Sequence, residues 1–313
     1  MRKQIDKIIT IKKPVSFVLR KSKKVFLPGF YGLPLYDVIH FFHRQVKTIG
    51  ITERAAAISY NFIMSVPPSL LFLFTLIPHL PFISMSSLRI QLHSLIFDMV
   101  PRREYNTELI KFVDSFMGGT RIGLLSFGLL LSLFFASNAM MRVMRAFNKN
   151  YVGFEKRKWI HKRWMAIKLT MLIFGLFGIY VFLLIMQGNL LEMIVEDSGW
   201  RDVISYGRWI LMVLLVFFAI AFIYKYAPAI QKRWKLFSPG TVLATLLSIL
   251  ASLAFSIYVN NFGRYNALYG SIGTVMVLMA LVYINSLVLL IGFELNVSIH
   301  TLKGKVTLSK QEN

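Results

Sequence analysis

A chain of 313 residues with 56% hydrophobic and 16% charged residues is too apolar for an ordinary soluble domain, which is about 45–50% apolar and about 25% charged. Its charge is lopsided, with 36 Lys and Arg against 14 Asp and Glu for a formal net charge of +22, and it has no cysteine. These figures exclude a disordered chain, a disulfide-stapled fold, a thiol nucleophile and a thiolate metal site. A soluble nucleic-acid binder would not carry this much Leu, Ile, Phe and Met, so the composition points to an integral membrane protein with basic loops.

In chain order, residues 1–54 are basic and contain no apolar run long enough for a leader or a span. They are expected to be a mature cytoplasmic segment. Within them Leu35, Val38, Ile39, Phe42, Val46 and Ile49 recur at three- and four-residue spacing, which predicts an amphipathic helix lying in the cytosolic interface. A membrane domain over 55–297 follows. It holds six stretches of roughly the ~20 apolar residues that a spanning helix needs: Ile58–Phe82, Ile122–Met141, Ile167–Gln187, Trp209–Tyr226, Thr241–Val259 and Ser271–Asn296. Between the first two, apolar stripes at Leu88, Leu92, Leu95, Ile96 and Met99 and at Leu109, Ile110, Val113, Phe116 and Met117 flank Pro101. They predict two short outer helices. Residues 298–313 are expected to be a cytoplasmic tail. Strand alternation at ~10-residue spacing, the mark of an outer-membrane barrel, is missing. The expected fold is an all-α integral membrane protein, a six-helix bundle with amphipathic interfacial helices.

The loops set the orientation. Of the 36 basic residues, 28 fall before the first span, in Arg142–Lys168, in Lys225–Lys235 and after the sixth span; 8 fall in the alternate segments. The positive-inside rule then places both termini in the cytoplasm.

No catalytic motif is present. The six histidines, His40, His43, His79, His93, His161 and His300, show neither HExxH spacing nor a His/Asp cluster, so no metal or other cofactor is expected. Walker, dinucleotide and GxSxG signatures are missing as well. The basic run 156–163 beside Trp159 and Trp164 reads as a topology determinant or a contact to anionic lipid headgroups, not as a nucleic-acid patch. Membrane lipids are thus the expected partners.

Polar groups within spans are more informative, because lipid exposure makes them costly. These are Asn61, Asn138, Gln187, Asn260, Asn285, Glu294 and Asn296. Glu294 is the only carboxylate in an expected span. It either sits at the headgroup boundary or pairs with Arg54, which lies at the same depth. Pro67 and Pro68 remove two backbone donors; a kink in a continuous helix is the favoured reading, over a broken helix lining a polar cavity. Small residues recur every four positions at Ala244, Ser248, Ser252 and Ser256, and again at Gly119 and Gly123, as at close helix crossings.

Certain segments carry a resemblance. Glu53-Arg54-Ala55-Ala56-Ala57-Ile58-Ser59-Tyr60 with Ser65-Val66-Pro67-Pro68, then Phe147-Asn148-Lys149-Asn150-Tyr151, then Asn266-Ala267-Leu268-Tyr269-Gly270-Ser271-Ile272-Gly273 and finally Gly292-Phe293-Glu294-Leu295-Asn296 resemble the YihY/BrkB family of bacterial inner-membrane proteins over roughly residues 35–300. Where that family commonly has one proline this chain has two, and Phe293 stands where alanine is frequent. The resemblance singles out Asn266, Tyr269 and Gly270 beside the intramembrane polar residues. It implies an inner-membrane location and a link, in some members, to export of lipid or lipopolysaccharide precursors. It also brings an old ribonuclease label that the scattered histidines here do not support.

Three functions follow as expectations. The first is a transporter-like or lipid- and envelope-precursor-handling bundle without nucleotide hydrolysis. The second is a scaffold for envelope machinery, through protein partners or a homo-oligomer. A membrane-bound ribonuclease ranks last, and the chain is not expected to be an enzyme.

Overall fold

A computed structural model describes residues 25–48, 50–76, 90, 93, 110–111, 114, 122–148, 157–185, 198–230, 233–261 and 271–311. The described elements are all helical: α1 Leu35–Thr48, α2 Ile51–Ile63, α3 Val66–Leu76, α4 Ile122–Phe147, α5 Trp159–Ile185, α6 Ser198–Tyr226, α7 Pro239–Asn261 and α8 Ser271–Gln311. Among the described residues five helices, α4 to α8, are long and apolar enough to cross a membrane.

The first expected span departs from its prediction. Ile58–Phe82 is not a single kinked helix. Its described part is two helices, of 13 and 11 residues, separated at Met64 and Ser65. The reason lies in where the prolines sit. Inside a helix each would delete a hydrogen bond and clash with the carbonyl four residues back. In the first turn, where the N–H has no helical partner anyway, proline is favoured. Pro67 and Pro68 occupy that first turn of α3, so the chain ends one helix and starts another. Met64 and Ser65 donate their N–H groups to the carbonyls of Tyr60 and Phe62, each at 3.0 Å, and the Ser69 hydroxyl bonds the Ser65 carbonyl at 2.8 Å.

The other boundaries follow local chemistry. Gly50, with φ +62°, turns the chain between α1 and α2; this left-handed conformation is cheap only for glycine. α6 stops two residues before Pro228, and α7 opens with Pro239 behind Ser238, whose hydroxyl accepts the Thr241 N–H at 3.3 Å as an N-cap. α8 runs 41 residues without a proline and continues 15 residues beyond the expected end of the last span. The stretch expected as a tail is therefore helical through Gln311, and Ile299 is buried. α1 forms as predicted, but its apolar stripe does not simply face the interface. Val38 and Phe42 pack with Phe30, Leu33, Leu295 and Ile299 against the end of α8. The predicted outer helices around Pro101 fall almost wholly outside the described residues.

α8 is the hub, with α1, α2 and α7 laid against it; α4 holds α2, α3 and α5, and α6 bridges α5 to α7. The core gathers at one end of the bundle, around Ala55, Met144, Phe147, Tyr224, Trp234 and Phe293. Phe293 lies fully buried and stacked on Phe147, with ring centroids 3.8 Å apart and planes 4° from parallel. At the far end, Leu250, Leu253 and Ile257 of α7 and Val275 and Met276 of α8 are exposed, as side chains facing lipid would be.

α7 and α8 cross with their backbones in contact. A Cβ at Gly240 would overlap the Gly292 carbonyl, and one at Gly292 would lie 2.5 Å from both the Gly240 carbonyl and the Tyr224 hydroxyl. Of the small-residue ladder, Ala244 is buried beside Gly292 and Ser248 partly so, whereas Ser252 and Ser256 are exposed. Gly123, of the second ladder, meets nothing within 4 Å. Gly292→Ala should destabilise the detergent-solubilised protein by about 1–3 kcal/mol, the usual cost of overpacking. Gly175→Ala, where a Cβ meets open space, should be neutral or stabilising by up to ~1 kcal/mol. Thermal unfolding of the two variants beside the parent checks the contrast; equal melting temperatures would mean that the crossing tolerates a methyl group.

Candidate functional site

The buried polar groups concentrate where the core does. Arg54, in the first turn of α2, and Glu294, near the middle of α8, are 8% and 0% exposed and meet with Nη2 2.7 Å from Oε1. Nη1 of the same guanidinium donates to the carbonyl of Ala146 at 2.6 Å. That carbonyl is in the last turn of α4, where helix carbonyls lack helical donors and the macrodipole favours a cation. One arginine thus joins α2, α4 and α8. Of the two readings of Glu294 the structure selects the pair: neither side chain reaches outward, and the carboxylate has no exposed surface.

Asn296, two residues on, is also buried. Its Oδ1 accepts the Gly240 N–H at 2.8 Å and its Nδ2 donates to Ser238 Oγ at 2.8 Å. The side-chain amide therefore satisfies one of the orphan donors at the start of α7, and it can do so because the Gly240–Gly292 crossing brings the helices together. Tyr224 of α6 donates its hydroxyl to the Leu289 carbonyl of α8 at 2.6 Å. Asn148 accepts the Ala229 N–H at 2.7 Å, and Arg157 donates to the carbonyls of Tyr226, Ala227 and Pro228 at 3.3, 3.4 and 2.8 Å. Arg157 does at the end of α6 what Arg54 does at the end of α4.

The other expected positions are more dispersed. Asn138 accepts from Arg163 at 2.6 Å between α4 and α5, with the guanidinium 4.8 Å from the Phe134 ring centre. Asn61 bonds back to the Ala57 carbonyl of its own helix at 2.9 Å. Asn285 accepts the Ser248 hydroxyl at 2.6 Å, a polar clasp between α7 and α8. Asn266, Tyr269, Gly270 and Gln187 lie outside the described residues, as does the side chain of Asn260. Pro67 and Pro68 stand at the helix break, apart from the Arg54 cluster. Among the described residues no group of three His, Asp or Glu is placed to hold a metal ion. His93 Nε2 lies 3.1 Å from Asp114 Oδ1.

Sequence reasoning singled out Arg54, Glu294 and Asn296 but missed other contributors. Ala146 acts through its backbone, which no side-chain pattern reveals. Gly240 and Gly292 are 52 positions apart, and only the crossing unites them. Tyr224 reads as an ordinary span-end aromatic.

The arrangement fastens the helices to one another. Arg54, Tyr224, Asn138 and Asn285 each bond a group on a neighbouring helix. Removing one partner of the ion pair leaves an uncompensated buried charge, which costs about 3–5 kcal/mol. Arg54→Ala and Glu294→Ala should each lower stability on that scale, and the double variant should be little worse than either. A double-mutant cycle by thermal or denaturant unfolding is expected to give a coupling above ~1 kcal/mol; a value below ~0.5 kcal/mol, the noise of independent sites, would mean that the pair is not energetically joined.

Comparison with known proteins places this arrangement in context. A family model described as virulence factor BrkB matches residues 42–313. A Bacillus subtilis protein with a ribonuclease-like name, YfkH, is 32% identical over 265 residues, covering 80% of this chain and 90% of its own. UPF0761 membrane proteins of Tolumonas auensis and Alteromonas mediterranea are 28% and 24% identical, each covering 85% of this chain and 88% of their own. No solved structure matches the chain.

Proposed function

This chain belongs to the virulence factor BrkB family of multi-pass membrane proteins, and we propose that it is a six-span inner-membrane bundle that handles an amphiphile, a lipid or an envelope precursor, without hydrolysing nucleotide. The observation that carries the reading is the interruption of the first membrane segment at Met64 and Ser65. Non-helical backbone is tolerated at membrane depth only where protein buries it or a polar cavity receives it, and transporters build sites from such discontinuous helices. Because Pro67 and Pro68 have no N–H, the carbonyls of Ile63 and Met64 lose their helical donors and become acceptors within the membrane. α2 and α3 together are the sixth crossing in this reading.

Support for a fixed end comes from the polar fastenings, and support for an open one from the lipid-facing stretches of α7 and α8. An amphiphile needs this combination: a polar groove for its head and apolar surface for its tails. Arg54, Arg157 and Lys235, all among the 28 basic residues assigned to one side, lie at the fastened end, which supports cytoplasmic termini and contact with anionic headgroups. The ribonuclease-like name belongs to the Bacillus protein; here it finds no clustered metal-ligand set among the described residues. A scaffold for envelope proteins is the second reading, favoured by the dense packing at the cytoplasmic end.

Two measurements check the proposal. Single cysteines at Lys158 and Lys235 should stay protected from an impermeant thiol reagent in intact cells whose outer barrier admits it, while one at Asp197, outside the described residues, should react. The reverse pattern would overturn the orientation. In vesicles carrying a fluorescent lipid and the purified protein, the fraction open to an external quencher should exceed the outer-leaflet share. Pro67→Ala with Pro68→Ala should slow that movement. No excess over protein-free vesicles would remove lipid handling and leave the scaffold.

A further inference from the structure

Beside the Arg54 cluster, at the same end of the bundle, is a cavity of about 390 Å³ with the Asn296–Ser238 fastening in its wall. It opens between the turn at residues 27–32, the loop entering α7 and the last third of α8. The turn has an unusual shape: Gly29, Tyr31 and Gly32 all have positive φ, at +87°, +54° and +77°. Gly29 is held against Pro239, whose ring a Cβ there would meet at 2.8 Å. Tyr31 adopts a conformation that a bulky side chain seldom takes, and such residues persist where the surroundings over-determine them.

The walls are largely aromatic, with one ammonium, that of Lys235, among the described lining residues and that of Lys303 close behind. His300 stacks on Trp234, with centroids 5.2 Å apart and planes 5° from parallel, and lies 5.4 Å from Tyr31. Lys235 lines the cavity, and Lys303 holds its ammonium 3.9 Å above the Tyr31 ring. No described lining residue is a carboxylate. The start of α7 adds its positive dipole end, though Asn296 and Ser238 already satisfy the amides of Gly240 and Thr241. The local field therefore favours an anion.

The mouth is apolar. Phe237, on the rim, is 69% exposed. From Pro239 an exposed stripe runs up α7 through Val242, Leu246, Leu250, Leu253 and Ile257, at the three- and four-residue spacing of one helix face. We infer that this cavity binds the phosphate-bearing headgroup of an anionic glycerophospholipid, with the acyl chains laid along the exposed stripe of α7. The stripe selects a lipid over free phosphate: a soluble anion would gain nothing from it. The inference rests on the membrane orientation proposed above, since only a cytoplasmic-leaflet lipid has its headgroup at this end.

The test uses the full chain in detergent, with bound lipid counted by native mass spectrometry. Titration with phosphatidylglycerol should show one saturable site, and phosphatidylcholine should bind at least tenfold more weakly. Lys235→Gln with Lys303→Gln should weaken phosphatidylglycerol binding at least tenfold, and Phe237→Ala should weaken it without changing the preference between headgroups. The melting temperature of each variant in lipid-free detergent verifies folding. If the lysine variant unfolds, His300→Gln takes its place, with the same loss expected. Equal affinity for the two lipids, or phosphatidylglycerol binding unaffected in a folded lysine or histidine variant, would overturn the site. So would displacement by millimolar inorganic phosphate, which would identify a free-phosphate site instead. Failure of lipid movement in vesicles, with this binding intact, would remove only the handling function; loss of the site with movement intact would remove only the cavity.

Discussion

A carboxylate with no exposed surface, 240 residues along the chain from the guanidinium that meets it, constrains where three helices can lie. Glu294 cannot reach water from the middle of α8, so its charge must be met inside the protein, and Arg54 can meet it only if α2 lies against that face of α8. The guanidinium is a planar fork; with one amine on the carboxylate and the other on the Ala146 carbonyl, α4 must end at that point too. Such pairs are weak sources of net stability, because desolvation consumes most of the attraction. What they supply is selection among arrangements: any rotation of α2 or slip of α8 by one residue would strand a charge in the core.

The same end of the bundle is closed by a second device of different character. Gly240 and Gly292 let α7 and α8 touch backbone to backbone, and that proximity brings Asn296 within reach of the α7 N-terminus. The close approach and the hydrogen bonds require each other. Separated helices would leave the Gly240 amide without its amide acceptor, and larger residues at the crossing would force that separation. Phe293, next to both motifs, fills the remaining space by stacking on Phe147. A small residue there would leave a void beside the ion pair, so the larger side chain at this position belongs to the same closure.

How much of this could be read from the sequence depended on the range of the interaction involved. The apolar runs that became α4 to α8 were legible because crossing a bilayer is a requirement each segment meets alone. The amphipathic stripe of α1 was legible for the same reason, but its docking on Leu295 and Ile299 was not, because a stripe does not say what covers it. Arg54 and Glu294 were legible as a possible pair through their shared depth. The break at Met64 and Ser65 was misread: hydropathy runs straight through Pro67 and Pro68, and proline means a kink or a beginning according to which turn of the helix holds it. The α7 ladder marked one face of a crossing, while Gly292, the other face, had no periodic signal. Gly119 and Gly123 carried the signal, yet Gly123 sits in open space.

The break matters because of what holds each side of it. α2 is tied by Arg54 to α8 and to the last turn of α4, whereas α3 leans on α4. Between them, two residues interrupt a helix that hydropathy alone would make continuous. A continuous helix would transmit the rotation fixed by the ion pair along its whole length. A helix ended at Ile63 and restarted at Val66 releases α3 from that constraint. Its orientation is then set by packing on α4 rather than by the buried charge pair. The polar fastening can thus be rigid without imposing its geometry on the outer part of the bundle. The exposed apolar faces of α7 and α8 likewise stand outside the core.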